Sequence, residues 1–516
     1  MILGDPNAAS VSAGSRTTLD NIFQSAAARR PDAIALADPP NRASFTDGAP
    51  RRLTYAQADR MVTAIAGRLR RLGLATDAVI GLQLPNTIES VLMLLGVMRA
   101  GMIATPLPLL WRRADAVAAL SRLGARAIVT SARVGGLDHC ELAMQVGAEI
   151  FAIRYVCGFG DKLADGMIPF DDLFTDHTPD PVPPLARDHN PAAHVALVTW
   201  EVTPDGLVPV ARNHLELISG GLAVMLEAGI EPDAAILSTC PASSFAGIAL
   251  TVLPWLLTGG TLSLHQPFDP AVFAAQCNDD RCTTVILPGP LVPRLLDAGL
   301  LSHAGLINVL AVWRAPERLM ASPAWGHPSA RLTDVLVFGE TALLGSRRDS
   351  DGRPAPIPLG VVNAPRDAAG AVPVAELTRS GAGTVALRGP MVPRHAFPPG
   401  AERTAALHFK ADAGGLVDTG YACRVERETR AMVVTGPPPG LISVGGYRFA
   451  LGELQDLVSR ADPGATLAVL PDALAGHRLA GNTADRDTLQ SALAGLGINP
   501  LVADAFRNRR RQAAAA

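Results

Sequence analysis

The sequence predicts an α/β protein: a large N-terminal region of mostly parallel sheets flanked by helices, a β-rich part, and a small C-terminal α+β domain. Short apolar runs alternate with helical patterns over roughly residues 54–339, an order that gives parallel strands covered by helices on both faces. From about Pro354 prolines and glycines become frequent, and helical patterns are absent until Leu451. With 516 residues and 48% hydrophobic content, the chain is also too long for one core.

The first elements alternate clearly. Thr54 and Gln57 form a capping box before apolar residues at helical spacing, and Gly73 ends that helix. A buried strand follows at 78–84, and Asn86 and Glu89 begin a second helix that stops at Gly101. The pattern then predicts a strand at 102–107, a helix at 115–123 and a strand at 126–131.

The alternation resumes after a loop-like stretch at 197–214. It predicts strands at 234–240, 261–265, 283–288, 308–313 and 333–339, with helices at 245–257 and 270–278. We expect an N-terminal region over 1–420, made of two α/β subdomains to about 350 and a β-rich subdomain over 351–420. The small C-terminal domain is expected over 421–516, with a hinge among the three prolines of "TGPPPG".

Composition excludes several classes of function. The net charge of −3 gives no reason to expect nucleic acid as a partner, and the most apolar segment, 245–257, is too short to span a membrane. No signal peptide is apparent, and the six cysteines form no CxxC pair, so a cytoplasmic protein with reduced thiols is expected. The Ala, Arg and Gly bias suggests a GC-rich bacterial genome, and Lys162 and Lys410 are the only two lysines.

Three stretches carry a family resemblance. They are "LTYAQADRMVTAIAGRLRRLGLATDAVIGLQLPNTIESVLMLLGVMRAGMIATPL", "PASSFAGIALTVLPWLLTGGTLSLHQPFDP" and "GLISVGGYRFALGELQDLV". Together they resemble the adenylate-forming superfamily, which includes acyl-CoA synthetases, luciferases and the adenylation domains of peptide synthetases. The resemblance implies a ligase that makes an acyl-adenylate from ATP and a carboxylate, and then transfers the acyl group to coenzyme A or a carrier protein. Such chemistry needs cationic groups and Mg²⁺ around the phosphates.

The stretch that matches the family's phosphate loop has lost most of its expected chemistry. Thr199, Thr203 and Gly206 remain, but the family's terminal lysine is replaced by Leu207 or Val208. A bulky ring and a carboxylate, both unsuited to a polyphosphate, occupy the middle of the loop at Trp200 and Glu201. The indole is expected either to fill the vacated nucleotide space or to cover it. Arg212, the nearest cation, is not an equivalent replacement for lysine.

The other nucleotide motifs are changed in the same way. In "FGETA" Phe338, Gly339 and Thr341 survive, but Ala342 replaces the metal-associated glutamate and the offset of Glu340 aims it elsewhere. In "DTGY" Thr419 and Gly420 survive, Tyr421 replaces the ribose aspartate, and Asp418 faces the opposite way on a strand. Prolines 437 and 439 and Gly440 replace the arginine, lysine and pivot aspartate of the hinge. No lysine follows Lys410, and the C-terminal domain is expected to be shortened relative to the family.

The stretch that matches the family's acyl pocket keeps its apolar character. Ser244, Phe245 and Gly247 are the expected lining residues, and they lie at the start of a core helix. An apolar cleft is the usual ligand site of such a chain. We therefore expect leucine at position 247 to remove any stabilisation by an acyl ligand while leaving the protein folded.

Three functional hypotheses follow from this pattern. The first is a catalytically impaired or inactive acyl-CoA-synthetase-like protein that keeps an acyl- or carboxylate-binding pocket, with no catalytic residue, metal or cofactor expected. The second is an active acid–thiol ligase with unusual contacts to ATP and Mg²⁺. The third is a structural partner subunit of a biosynthetic complex. Expected partners are an acyl or carboxylate ligand, a CoA thioester, a carrier protein, a second copy of the chain or a biosynthetic enzyme, and the resemblance suggests fatty acid metabolism.

Overall fold

The computed structural model describes residues 15–174, 179–183, 185–366, 369–394, 397 and 411–507. It confirms the α/β architecture with a β-rich part and a small C-terminal α+β domain. Two large, mostly parallel sheets form the first part of the chain. Their helices are Leu19–Arg29, Tyr55–Arg71, Ile88–Arg99, Arg113–Leu123, His139–Glu149, His214–Ala228, Pro270–Asp279 and Val292–Asp297.

The seven-stranded sheet is parallel except at one edge. Its strands lie in the order Gly206–Asn213, Val195–Thr203, Ile103–Pro106, Val79–Gln83, Ala127–Ser131, Tyr155–Phe159 and Ile168–Pro169. The first two pair antiparallel, and each later pair is parallel. The antiparallel edge pair replaces the loop expected between residues 197 and 214.

The eight-stranded sheet has five parallel pairs at its centre and an antiparallel pair at each edge. Its strands lie in the order Ala342–Arg347, Arg331–Phe338, Asn308–Trp313, Thr284–Pro288, Ala235–Ser238, Thr261–Leu264, Ile34–Ala37 and Arg52–Thr54. Helices pack between the two sheets. The predicted helix after Thr54 is confirmed with its capping box: the Gln57 amide donates to Thr54 Oγ1 at 3.2 Å, and the Thr54 amide donates to Gln57 Oε1 at 2.8 Å.

The predicted helix at 245–257 is not regular. It consists of an α-helical turn Phe245–Gly247, a π-helical segment Ile248–Val252 and an α-helix Leu253–Thr258. Pro254 has no amide hydrogen, and its ring clashes with the carbonyl four residues before it, so the α-helical hydrogen-bond ladder cannot continue through this position. The helix is still core: Phe245, Leu250 and Trp255 are fully buried.

The β-rich part is a six-stranded antiparallel sheet. Its strands lie in the order Ile357–Pro358, Ala431–Gly436, Val417–Val425, Thr384–Arg388, Val372–Arg379 and Gly360–Ala364. The domain boundary expected at residue 420 falls inside strand Val417–Val425 of this sheet. The next sheet begins with strand Leu441–Val444, so the Pro437–Gly440 connection separates the two sheets.

The C-terminal domain has a four-stranded antiparallel sheet and its own core. The strands lie in the order Tyr447–Ala450, Leu441–Val444, Gly476–Asn482 and Thr466–Asp472. The helices are Leu451–Ala461, Arg486–Gly495 and Pro500–Ala503. Phe506 and Leu493 are fully buried in this core. In the part of the chain that the structure describes, no helix combines the length and apolar content that a membrane crossing needs.

Candidate functional site

The segment that matches the family's phosphate loop is a tight β-hairpin. Strands Val195–Thr203 and Gly206–Asn213 are joined through Pro204 and Asp205 alone. Thr203 Oγ1 donates to the Gly206 carbonyl at 2.8 Å and accepts from the Asp205 amide at 3.2 Å, and Gly206 has a φ of +105°. Thr203 and Gly206 therefore serve the turn, and their hydrogen-bonding groups are used within it.

Side chains of the first hairpin strand alternate between two faces. Trp200 packs against Trp111, with ring centroids 6.1 Å apart, and its indole N–H donates to Thr105 Oγ1 at 3.0 Å. Thr199 and Glu201 project to the opposite face, where Thr199 is fully buried. The expectation that Trp200 fills or covers the nucleotide space is wrong, because strand alternation turns it toward the core of the seven-stranded sheet.

Glu201 occupies the space in front of the "FGETA" segment. Its Oε2 accepts from the Glu340 amide at 2.5 Å, and its Oε1 lies 2.6 Å from Arg448 Nη1. A Cβ atom on Gly339, whose φ is +57°, would collide with this carboxylate. Glu201 and Arg448 are both largely buried, with side-chain exposures of 5% and 15%. The Glu201 carboxylate thus lies directly against the segment that the resemblance assigned to adenine and metal binding.

Aromatic rings fill the neighbouring position. Tyr421 is 2% exposed and packs edge-on against Phe338, with ring centroids 5.4 Å apart at an angle of 87°. The Arg448 guanidinium lies 5.3 Å from the Tyr421 ring centroid. The residue in the place of the ribose aspartate is therefore a core aromatic that supports the Glu201–Arg448 pair.

The surviving residues around Tyr421 have backbone roles. Thr419 Oγ1 donates to the Val385 carbonyl at 2.8 Å, and Gly420 has a φ of +73° beside Pro438. Asp418 is exposed and accepts from Thr384 Oγ1 at 2.7 Å. The prediction that Asp418 faces away is confirmed.

Arg212 is a structural cation. Its side chain is fully buried, and Nη1 donates to the Met391 carbonyl at 2.5 Å while Nη2 donates to the carbonyls of Glu340 and Thr341. The guanidinium carbon lies 3.6 Å from the Phe245 ring centroid. Burial lowers the pKa of Arg212 to about 10. Arg212 therefore holds the "FGETA" backbone and does not present its charge to an open site.

Glu340 is turned away from the position of the missing metal ligand, as its offset predicts. It is buried, and its Oε2 accepts from the Phe245 amide at 2.9 Å, at the start of the core helix. Burial raises the pKa of Glu340. Ala342 is fully buried and offers no ligand atom. Among the described residues, no group of three or more His, Cys, Asp or Glu side chains is placed to hold a metal ion.

The three expected acyl-pocket residues are tightly packed. Phe245 is fully buried, with Arg212 on its ring face, and Ser244 Oγ accepts from the Gly247 amide at 3.1 Å and from Arg314 Nη2 at 2.9 Å. A Cβ atom on Gly247 would collide with the Pro241 carbonyl oxygen. Leucine at position 247 should therefore destabilise the fold, contrary to the expectation from the sequence, because that glycine lies against backbone.

An apolar cleft lies beside these residues. It encloses about 300 Å³, including space open to solvent, and its walls combine four leucines with the residues just before Ser244. The lining residues are Leu82, Leu84, Ser90, Leu94, Pro106, Leu107, Ala242 and Ser243. The first six come from the long N-terminal stretch that carries the family resemblance, so this stretch and the "PASS" segment meet at one opening.

Sequence reasoning missed the most important residue of the site. Arg448 lies in the "GYRF" segment and pairs with Glu201 across 247 positions. The available signal was Glu201, a carboxylate within an apolar strand, because a buried charge requires a partner. The sequence pattern does not show which of the many arginines pairs with Glu201.

Comparison with known proteins agrees with this architecture. Residues 23–187 match the model of the AMP-binding enzyme family. The chain is 28% identical to pyochelin synthase PchD of Pseudomonas aeruginosa over 487 residues, which are 90% of this chain and 83% of that protein. Its fold is similar to amide bond synthetase McbA from Marinactinospora thermotolerans, with a TM-score of 0.69, 16% identity and 94% of both chains covered. It is also similar to o-succinylbenzoate CoA synthetase of Bacillus subtilis, with a TM-score of 0.66, 14% identity and coverage of 95% and 93%.

These observations define the class of the protein. The two mostly parallel sheets, the β-rich sheet and the small C-terminal domain form the fold of adenylating ligases. The chain therefore has the fold of adenylate-forming enzymes, and its residues 23–187 match the AMP-binding enzyme family.

Proposed function

We propose that this chain is a non-adenylating member of its superfamily, which keeps the fold and an apolar ligand cleft but makes no acyl-adenylate. The observation that carries this proposal is the Glu201 carboxylate, which is held between the Glu340 amide and Arg448 directly in front of Gly339. A nucleotide would have to displace a buried ion pair before it could reach this backbone.

The residues present do not fit ATP–Mg²⁺. Phosphates need cations and free backbone N–H donors, whereas the hairpin turn uses its own hydrogen-bonding groups and Glu201 adds negative charge. Arg212 is committed to backbone carbonyls. Lys162 is exposed on the loop after strand Tyr155–Phe159, and Lys410 lies outside the described residues. Among the described residues, no group of carboxylates makes up for the metal ligand that is missing at Ala342.

The cleft between the leucines and Ser243 supports a carboxylate or acyl ligand with a small apolar body. Its volume of about 300 Å³ includes space open to solvent, so a bound ligand would place only a small apolar group in the cleft. The likeness to pyochelin synthase PchD supports a role in a biosynthetic complex, and a carrier protein or its acyl thioester is the partner that we propose.

Pyrophosphate–ATP exchange tests the absence of adenylation. Wild-type protein is assayed with aromatic, branched and linear carboxylates, alongside an active acyl-CoA synthetase. We expect exchange at background with every acid. Carboxylate-dependent exchange above background would overturn the proposal and support an active ligase with unusual ATP contacts.

Melting temperature with added ligand tests the cleft separately. We expect fatty acids or aromatic acids to raise the melting temperature of the wild type, and Ala242→Trp to remove the effect, because Ala242 is a half-buried lining residue. Gly136→Ala, at an exposed position with open space around it, is the matched control. If neither acids nor acyl-CoAs shift the wild type, the structural-subunit hypothesis replaces ligand binding.

A further inference from the structure

A second cavity lies apart from the nucleotide motifs and from the Ser244 cleft. It encloses about 410 Å³, including space open at its mouth, between helix Val292–Asp297 and the loop at 322–325. Strands Asn308–Trp313 and Arg331–Phe338 contribute Ala311 and Leu332 to its wall. None of its lining residues belongs to a motif discussed above.

Arg348 forms a rigid, electrically neutral part of the wall. Its guanidinium makes five hydrogen bonds: two to the Asp334 carboxylate at 2.8 and 3.1 Å, two to the Pro323 and Gly352 carbonyls at 2.6 and 3.1 Å, and one to Ser322 Oγ at 2.8 Å. Five is the full donor capacity of arginine. Arg348 therefore fixes the loop onto the sheet and has no donor left for an anion.

The remaining wall is preorganised and partly apolar. Leu296 and Trp325 supply the accessible apolar surface, whereas Val292 and Leu332 are almost fully buried. The indole N–H donates to the Ala330 carbonyl at 2.7 Å, and the Trp325 amide donates to the Gly352 carbonyl at 2.7 Å, so both N–H donors of this residue are occupied. Such a wall favours a small ring or a branched aliphatic group.

Asp297 is the charged group of the lining that remains free. It is exposed at the last position of helix Val292–Asp297 and makes no side-chain hydrogen bond or ion pair with any residue that the structure describes. The carbonyl end of a helix adds negative potential at the same point. The mouth of the cavity therefore favours a cation.

We propose that this cavity binds a small apolar molecule that carries a primary amine. The ring or branched chain lies against Trp325 and Leu296, and the ammonium group is held by the Asp297 carboxylate. This proposal is independent of the proposed function, because neither the cleft beside Ser244 nor the Glu201–Arg448 pair takes part.

Calorimetry at low ionic strength tests amine binding in this cavity with three probes of similar size. They are 2-phenylethylamine, the neutral 2-phenylethanol and the anionic 3-phenylpropionate. We expect the amine to bind best and the anion worst. Asp297→Asn should weaken amine binding about tenfold and leave the alcohol unchanged, since it removes only the charge–charge interaction. Ala324→Trp, at an exposed lining position, should abolish binding of both.

Asp165→Asn, which removes an exposed carboxylate elsewhere, is the matched control and should change nothing. Absence of amine binding to the wild type at millimolar concentration would overturn the proposal. It would also be overturned if the anion bound as well as the amine, or if Asp297→Asn had no effect. Far-ultraviolet circular dichroism of each variant establishes that the fold is retained.

Discussion

At the scale of single residues, we expect the Glu201–Arg448 pair to contribute most to the stability of the site. Removing one member leaves a largely buried charge without its partner, so Glu201→Ala or Arg448→Ala should lower the free energy of unfolding by about 3–5 kcal/mol. The double variant Glu201→Leu, Arg448→Met should recover most of this loss. Urea unfolding measures all three.

The exposed pair Arg424–Glu426 is the matched control. Its atoms are 3.5 Å apart, with side-chain exposures of 60% and 32%, so Arg424→Ala should cost less than about 1 kcal/mol. An equal loss at both pairs would contradict the role given to Glu201 and Arg448.

Glu216 gives a prediction about pH. Burial raises its pKa to about 7 from 4.5, so between these values the folded state holds a proton that the unfolded state has released. The contribution of Glu216 to stability is therefore complete below pH 4.5 and is lost as pH rises through 7. Glu216→Gln should gain about 3 kcal/mol relative to wild type across this window. Urea unfolding of the variant and the wild type measures this gain. If the difference between their free energies of unfolding stayed constant from pH 4.5 to 8, the prediction would be refuted.

The lost polar contacts could be predicted residue by residue, but their replacements could not. The losses at Ala342 and Tyr421 can be recognised from the residue types alone, because a methyl group cannot bind a metal and a phenol is not a carboxylate. The partner of Glu201 depends on how two distant segments meet, and neither spacing nor periodicity carries that information.

At the scale of elements, the helix that begins at Phe245 is the most sensitive to change. Gly247→Ala places a methyl group against the Pro241 carbonyl oxygen and should lower the free energy of unfolding by about 1–3 kcal/mol. Gly452→Ala is the matched control, because its helix position has open space and alanine favours helix by about 1 kcal/mol. Thermal unfolding should move in opposite directions for the two variants; a higher melting temperature for Gly247→Ala would contradict the packing described.

Most elements could be predicted because their signals are local. The capping box at Thr54 and the alternation of strands and helices depend on neighbouring residues only. The π-helical segment at 248–252 and the edge hairpin at 195–213 depend on packing. In the hairpin, strand pairing converts a stretch that resembles a loop into two strands of nine and eight residues.

At the scale of the whole molecule, several contacts hold the C-terminal domain in one orientation. Besides the Glu201–Arg448 pair, the Tyr447 hydroxyl accepts from the Leu110 amide at 3.4 Å, and the Ala114 amide donates to the Gly497 carbonyl at 2.8 Å. Arg318 Nη2 donates to the Ala473 carbonyl at 3.0 Å. The hairpin tip also approaches this domain, since Gly206 lies beside Glu453.

A fluorescence distance measurement tests this orientation. All six cysteines are buried, so dyes at Gly136→Cys and Ala494→Cys, both exposed positions, report the separation of the two regions. We expect one narrow distance distribution that ATP–Mg²⁺ and coenzyme A leave unchanged, and a broader one after Arg448→Ala. A second populated distance in the wild type would contradict a fixed orientation.

Calorimetry with ATP–Mg²⁺ tests the central claim most directly, namely that side chains of this chain occupy the nucleotide position. The phosphate-loop lysine, the metal-associated glutamate and the ribose aspartate are missing. Each of these charged contacts is worth about 1.5–3 kcal/mol, so their loss removes several orders of magnitude in affinity for ATP. We expect no saturable heat at millimolar ATP–Mg²⁺, with Glu201→Ala as a folded comparison in which the carboxylate no longer covers Gly339. A wild-type Kd in the micromolar range would contradict the account.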